Sequence, residues 1–315
     1  QILDFDNFQA NYYNKENYYN SIFINKKKNV INFSSTSIDL SDNIDAILKS
    51  KNNKNILNIF KNLNSTVNLN LKSVKIDKDH EFQNFIGNVM IKNNKIDEAN
   101  LSAKFNNNNN FIYTIKEIDK KKITTIFSDL AKPFVRKFDF IKGFEGGKLD
   151  YTSVKVNENL SKSEIRIYDF KLQDMPMLTK LLSLASLQGI ADLATGEGIR
   201  FNEVEMFFNN SKNLITINEI YALGPAISIL MEGYVEKNKL ISLKGTLVPA
   251  TTINNFIGSL PMLGEILVGK KTGEGVFGVS FKIKGPPKNL KTSVNPVKTL
   301  TPRFITRTLE KIKKN

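Results

Sequence analysis

Apolar and polar residues alternate with a period of two in short runs, and clusters of Asn, Lys and Gly break these runs at intervals of about ten residues. In TVNLNLKSV the apolar positions are Val67, Leu69 and Leu71. Val89 and Ile91, then Leu101, Ala103 and Phe105, then Phe111, Tyr113 and Ile115 repeat the pattern. Successive side chains of a strand point to opposite faces, so each run has one dry face and one wet face. The Lys92–Lys95 cluster and the Asn run from Asn106 to Asn110 are turn chemistry. An antiparallel meander satisfies this pattern, whereas βαβ alternation does not.

The pattern resumes in GGKLDYTSVKV and SEIRIYDFKL, and again in IRFNEVEMFF, NLITINEIYAL, AISILMEGYV and KLISLKGTLV. Turns at 209–213 and 236–239 join the last four as hairpins. GVFGVSFKIKG reads as the final strand, with Phe277, Val279, Phe281 and Ile283 on one face and Lys282 and Lys284 on the other. Between Tyr168 and Leu172 the apolar phase slips by one residue, which predicts a bulge or an edge. Helical spacing interrupts the strands at 122–143, where Pro133 imposes a kink, at 177–193 and at 259–269. The tail TLTPRFITRTLEKIKKN predicts a short basic amphipathic helix with Pro302 at its first position.

The inventory is poor in catalytic groups. The 315 residues include no Cys, which excludes disulfides and thiolate chemistry, and a single His, His80. That histidine is expected in a surface turn; Ser73 and Asp79 lie near it in sequence, but without a nucleophile-elbow motif. GKKTGEG (269–275) departs from the phosphate-loop order and precedes a strand, so a plain loop is expected. Glu203 and Glu205 share one face of a strand and read as a solvated surface. No metal, no cofactor and no enzymatic activity are expected.

The formal charge of +14 suits nucleic acid or an anionic membrane surface. The Lys residues are scattered, however, the Asn and Lys usage is that of an AT-rich genome, and no nucleic-acid module is present, so nucleic acid is not an expected partner. No run reaches the ~18 apolar residues of a membrane-spanning helix. The chain opens on Gln and reads as part of a longer or processed product.

The positive signal is apolar surface. Ile227, Ile229, Met231 and Val235 line one side of a strand, Ile241, Leu243 and Leu247 another, and Phe277, Val279, Phe281 and Ile283 a third; Val67, Leu69 and Leu71 do so upstream. Periodicity alone leaves two readings: the core of a sandwich, or a lining that accepts acyl chains. The tail also has two. Arg303, Arg307, Lys311, Lys313 and Lys314 suit contact with an anionic bilayer, and the apolar side of the same helix suits packing on the end of a sheet.

From Phe170 onward the chain resembles the C-terminal region of AsmA-like proteins, nearest the YhdP branch of these bacterial envelope proteins. LSLASLQGIAD, TGEGIRF, LGPAISILMEGYV, GTLVPA, SLPMLGEILVG, GEGVFGVSFKIKGP and SVNP carry the resemblance in that order. A looser likeness extends back to Thr66. The resemblance implies a mainly β fold, an antiparallel sheet curled into a groove, with a few short helices at its edge and C-terminal end. On this reading residues 1–122 form the first part of the groove, 123–298 the C-terminal groove domain and 299–315 the tail helix. It further implies a periplasmic body, anchored in the inner membrane by an upstream segment, that conducts phospholipid between the two membranes without chemistry. The partners are then phospholipid acyl chains and an anionic membrane surface. The rival expectation is a scaffold that assists assembly of an outer-membrane protein partner by strand addition at an open sheet edge.

Overall fold

A computed structural model describes residues 6–41, 63–135, 143–173, 176–184, 196–237, 239–249, 278–287, 289–297 and 302–312. Among these the protein is mainly β, with seventeen strands in a largely antiparallel sheet that does not close into a barrel and three short helices. Two compact units divide the chain: Gln1–Phe138 with Lys148–Val156, and Asp139–Gly147 with Asn157–Asn315.

The first unit opens with an antiparallel meander of β1 (Asn7–Tyr13), β2 (Tyr19–Lys27) and β3 (Val30–Ser35). β3 and the short β4 (Ile38–Asp39) then run parallel to β5 (Ser65–Lys75). This pairing departs from the expected all-antiparallel order, and the long connection after β4 permits it, because parallel neighbours need a crossover. β6 (Glu81–Lys92), β7 (Lys95–Phe105), β8 (Asn110–Ile118), β9 (Lys121–Ser128) and β10 (Phe144–Asn157) continue antiparallel, with β10 pairing along Leu149–Val154.

The register sorts residues into transverse rows. One row runs Phe33, Leu69, Gly87, Leu101, Tyr113, Ile126, Tyr151 from β3 to β10 and is uncharged. The opposite face carries Asn7, Asn25, Asn32, Asn68, Asn88 and Asn100, then Thr114, Thr125 and Thr152, one residue per strand. Asn25 Nδ2 donates to Asn7 Oδ1 at 2.7 Å, Asn68 Nδ2 to Asn32 Oδ1 at 2.9 Å, and the Thr114 and Thr125 hydroxyls lie 2.7 Å apart. What reads in sequence as compositional filler is therefore a register-ordered polar row. Ile38, Leu71, Val74, Ile76, Phe82, Phe105 and Phe111 form the buried cluster of this unit.

The helix expected over 122–143 is corrected. Lys121–Ser128 is β9, and among the described residues helix α1 covers Lys132–Val135. Ile123, Thr124, Thr125 and Ile126 are β-branched, and a full strand of β8 is available to pair with them, so tertiary pairing overrides helical spacing. The expected domain boundary at 122/123 consequently falls inside a strand.

The second unit contains β11 (Leu160–Leu172), β12 (Ile199–Ser211), β13 (Leu214–Leu223), β14 (Ile227–Glu236), β15 (Leu240–Pro249), β16 (Gly278–Gly285) and β17 (Lys291–Val297), each antiparallel to the next. β17 lies beyond the strand that the sequence marks as final; Pro296 within it masks the strand signal. The apolar phase shifts near Tyr168 as expected, but without a bulge: Asp169 adopts φ +51° and is unpaired, the β11–β12 register is the same on either side of it, and both Ile167 and Phe170 are buried. Phe144, Phe170 and Phe201 then stack at 5.1 and 5.3 Å. Helix α2 (Pro176–Leu184) buries Leu181 and Leu182 and lies against β17, and helix α3 (Pro302–Ile312) follows β17. The expected helix at 259–269 and the 269–275 loop lie outside the described residues.

Candidate functional site

Three adjacent transverse rows define one face of the second unit. The first is Ile167, Val204, Ala222, Ile229, Leu247, Val279, Pro296, and the second Ile165, Met206, Ile220, Met231, Gly245, Phe281, Val294. The third is Ser163, Phe208, Ile217, Gly233, Leu243, Ile283, Thr292. None of these positions on seven consecutive strands is ionisable. At about 4.8 Å between neighbours they extend roughly 29 Å across the strands.

The structure thus places Ile229, Met231, Leu243, Leu247, Val279, Phe281 and Ile283 on one face, with Ile227, Val235 and Ile241 in line with them along β14 and β15. Ile227 and Leu247 are fully buried, Ile229, Ile241, Val279, Phe281 and Ile283 nearly so, and Met231, Val235 and Leu243 are half-buried. Phe277 lies outside the described residues. Val67, Leu69 and Leu71 belong to the first unit, on the face of β5 opposite its Asn residues; Leu71 is buried and the other two half-buried. On the same face Tyr113 is half-buried, and burial pushes its phenol pKa up. The contributions of β11, β12 and β13 escape the sequence reading, although alternation in SEIRI and EVEMF marks them.

The opposite face of the second unit is charged and carries α3. Phe304 is 1% exposed and packs on Leu230, Val248 and Tyr221, whose ring meets it edge-on at 6.1 Å. Three cations spaced four residues apart on the helix then meet a diagonal row of carboxylates. Arg303 donates through Nε to Glu219 at 2.9 Å and through Nη1 to Glu232 at 2.5 Å. Arg307 Nη2 donates to Glu205 at 2.6 Å, with Nε 2.7 Å from Glu219 Oε1 as an ion contact. Lys311 Nζ lies 2.7 Å from Glu203 and 3.0 Å from Glu205. Arg166 and Lys244 complete the row from the sheet, at 3.1 Å from Glu205 and 3.0 Å from Glu232.

Electrostatics follow the geometry. Burial raises the Glu205 pKa, but hydrogen bonds from Lys311 and Arg307 outweigh it and hold the carboxyl below its ordinary range. Glu232 is lowered by Lys244 first and then by Arg303. Burial opposes the charge on Lys311, and the two carboxylates beside it win, so its pKa is raised. Glu203 and Glu205 are therefore no solvated surface: Glu205 is 4% exposed beneath the helix. Of the tail cations, Arg303, Arg307 and Lys311 face the sheet, and Lys313 and Lys314 lie outside the described residues. Beside Arg303 a depression of about 730 Å³ is lined by Asn209, Asn218, Glu232, Tyr234 and Lys244.

Elsewhere, His80 sits in the β5–β6 turn, with its side chain only 12% exposed and its ring edge-on to Phe105. Asp77, Asp79 and His80 can bring ligand atoms within 4.8 Å of one another. Asp77 already accepts from the Asp79 and His80 backbone N–H groups and contacts His80 Nδ1 at 2.8 Å, so a turn accounts for the cluster. Ser73 donates to Glu81 and lies 3.2 Å from the Tyr18 hydroxyl, a pairing directed away from a Ser-His arrangement.

Comparison with protein-family models, with characterised proteins and with solved structures found no match for this chain.

Proposed function

We propose that this chain holds phospholipid acyl chains against the apolar sheet face and passes them along it without covalent chemistry. The observation that carries this reading is the set of three uncharged rows across β11–β17. Burying methylenes there is favourable by about 0.8 kcal/mol each, and the gain is similar at every position of a uniform lining. A chain can then shift across the strands without meeting a deep trap, while its headgroup stays at a polar rim. The resemblance to AsmA-like proteins supplies the setting: the periplasm, between an inner-membrane anchor and the outer membrane.

The test is mass spectrometry of lipids that co-purify with the protein from bacteria, together with uptake of a fluorescent phospholipid. Met231→Lys with Leu243→Lys is the informative variant, because both positions are half-buried on the face and tolerate change better than Val279 or Phe281. Uptake falling at least about ten-fold in a folded variant supports the reading. Wild-type protein that carries no lipid and takes up none overturns it, and crosslinks to an outer-membrane barrel in its place favour the scaffold.

A further inference from the structure

The same three helix cations that suit an anionic bilayer are held by four carboxylates of the sheet. Glu203 and Glu205 on β12, Glu219 on β13 and Glu232 on β14 form a negative row in a chain of net charge +14, and α3 lies along it. Phe304 is a fully buried apolar anchor of the helix. Arg303 and Glu232 at one end remain 46% and 38% exposed, so that end of the row is open to competing anions.

We infer that α3 is an electrostatic latch: the acidic row holds the helix on the sheet, and an anionic lipid surface competes for Arg303, Arg307 and Lys311 and draws the helix off. The inference rests on the membrane contact expected of the basic tail and is independent of lipid uptake by the apolar face. Carboxylates and lipid phosphates satisfy a guanidinium through similar charge-assisted hydrogen bonds, so a cation engaged on the sheet is withheld from the bilayer. Weakening the row therefore strengthens membrane binding, the reverse of what loss of a merely stabilising ion pair does. A lysine or arginine near an anionic surface contributes about 1 kcal/mol, so each cation set free raises the affinity about five-fold.

The experiment uses the full chain with vesicles of phosphatidylglycerol and phosphatidylcholine in equal parts, and with pure phosphatidylcholine as control. Glu205→Gln with Glu219→Gln is expected to sediment with the anionic vesicles at several-fold lower lipid concentration than wild type, and not with the neutral ones. Should that pair fail to fold, Glu232→Gln at the exposed end gives the same direction with about a two- to five-fold effect. Hydrogen exchange of wild type on anionic vesicles is expected to rise in β12–β14 beneath the helix. Folded variants that bind no tighter than wild type, or unchanged exchange beneath a membrane-bound helix, overturn the latch. Fluorescent-lipid uptake by the wild type separates the two ideas, since its absence speaks against conduction and leaves the latch as measured by sedimentation.

Discussion

Two glycines show how single residues hold the sheet in shape. Gly233 on β14 and Gly87 on β6 adopt φ of +149° and +141°, and a methyl at either would strike a carbonyl oxygen of the paired strand, Ser242 or Asn100. A side chain there meets both a disfavoured dihedral and a backbone clash. Gly233→Ala is therefore expected to lower unfolding stability by about 2–4 kcal/mol, measured by urea denaturation. Phe304 plays the corresponding part for α3, and Phe304→Ala is expected to cost about 3 kcal/mol and to raise the exchange of Tyr221 and its neighbours. The phase slip at Asp169 was legible in sequence because it leaves apolar residues out of step. The burial of Glu205 was not, because nothing within β12 announces a helix more than ninety residues later.

At the scale of elements, α3 and the acidic row have a definite pH dependence. Glu205 and Glu232 have pKa values below their ordinary range, so their contribution is present above the unfolded carboxylate pKa and is lost as pH falls through the folded value. Lys311 is raised, so its contribution is present below the ordinary lysine pKa and is lost only as pH rises through the folded one. Docking of α3 is thus expected to be level between about pH 5 and pH 10, and to weaken on acidification below about pH 4. Hydrogen exchange of β12–β14 across a pH series, corrected for intrinsic rates, checks this; exchange that is flat down to pH 3 contradicts it. The groups in play are Glu203, Glu205, Glu219, Glu232, Arg166 and Lys244 of the sheet, and Arg303, Arg307, Glu310 and Lys311 of the helix. The tail helix itself was legible from its spacing and Pro302. The strand β9 was not, since Ile123, Ile126 and Phe127 suit either period until a partner strand is at hand.

For the molecule as a whole, the absence of Trp makes each unit separately reportable. Phe23→Trp in the first unit and Tyr234→Trp in the second place a single indole at an exposed position of each. In 1 M salt the Debye length shrinks to about 3 Å, and the partly exposed pairs of α3 are screened. Denaturation followed by the indole of the second unit is expected to shift to lower urea between 0.15 M and 1 M sodium chloride by more than that followed in the first; equal shifts would show that the helix contacts carry no special weight. By itself, the sequence determined most of the strands from Ser65 onward and most of their wet and dry sides, because alternation and turn chemistry are local. Tertiary structure alone decided that separate apolar stripes align into uncharged rows, that Asn residues from six strands form one line, and that the basic tail faces carboxylates. Register couples residues tens of positions apart, and a charge has no partner until the chain has folded back on itself.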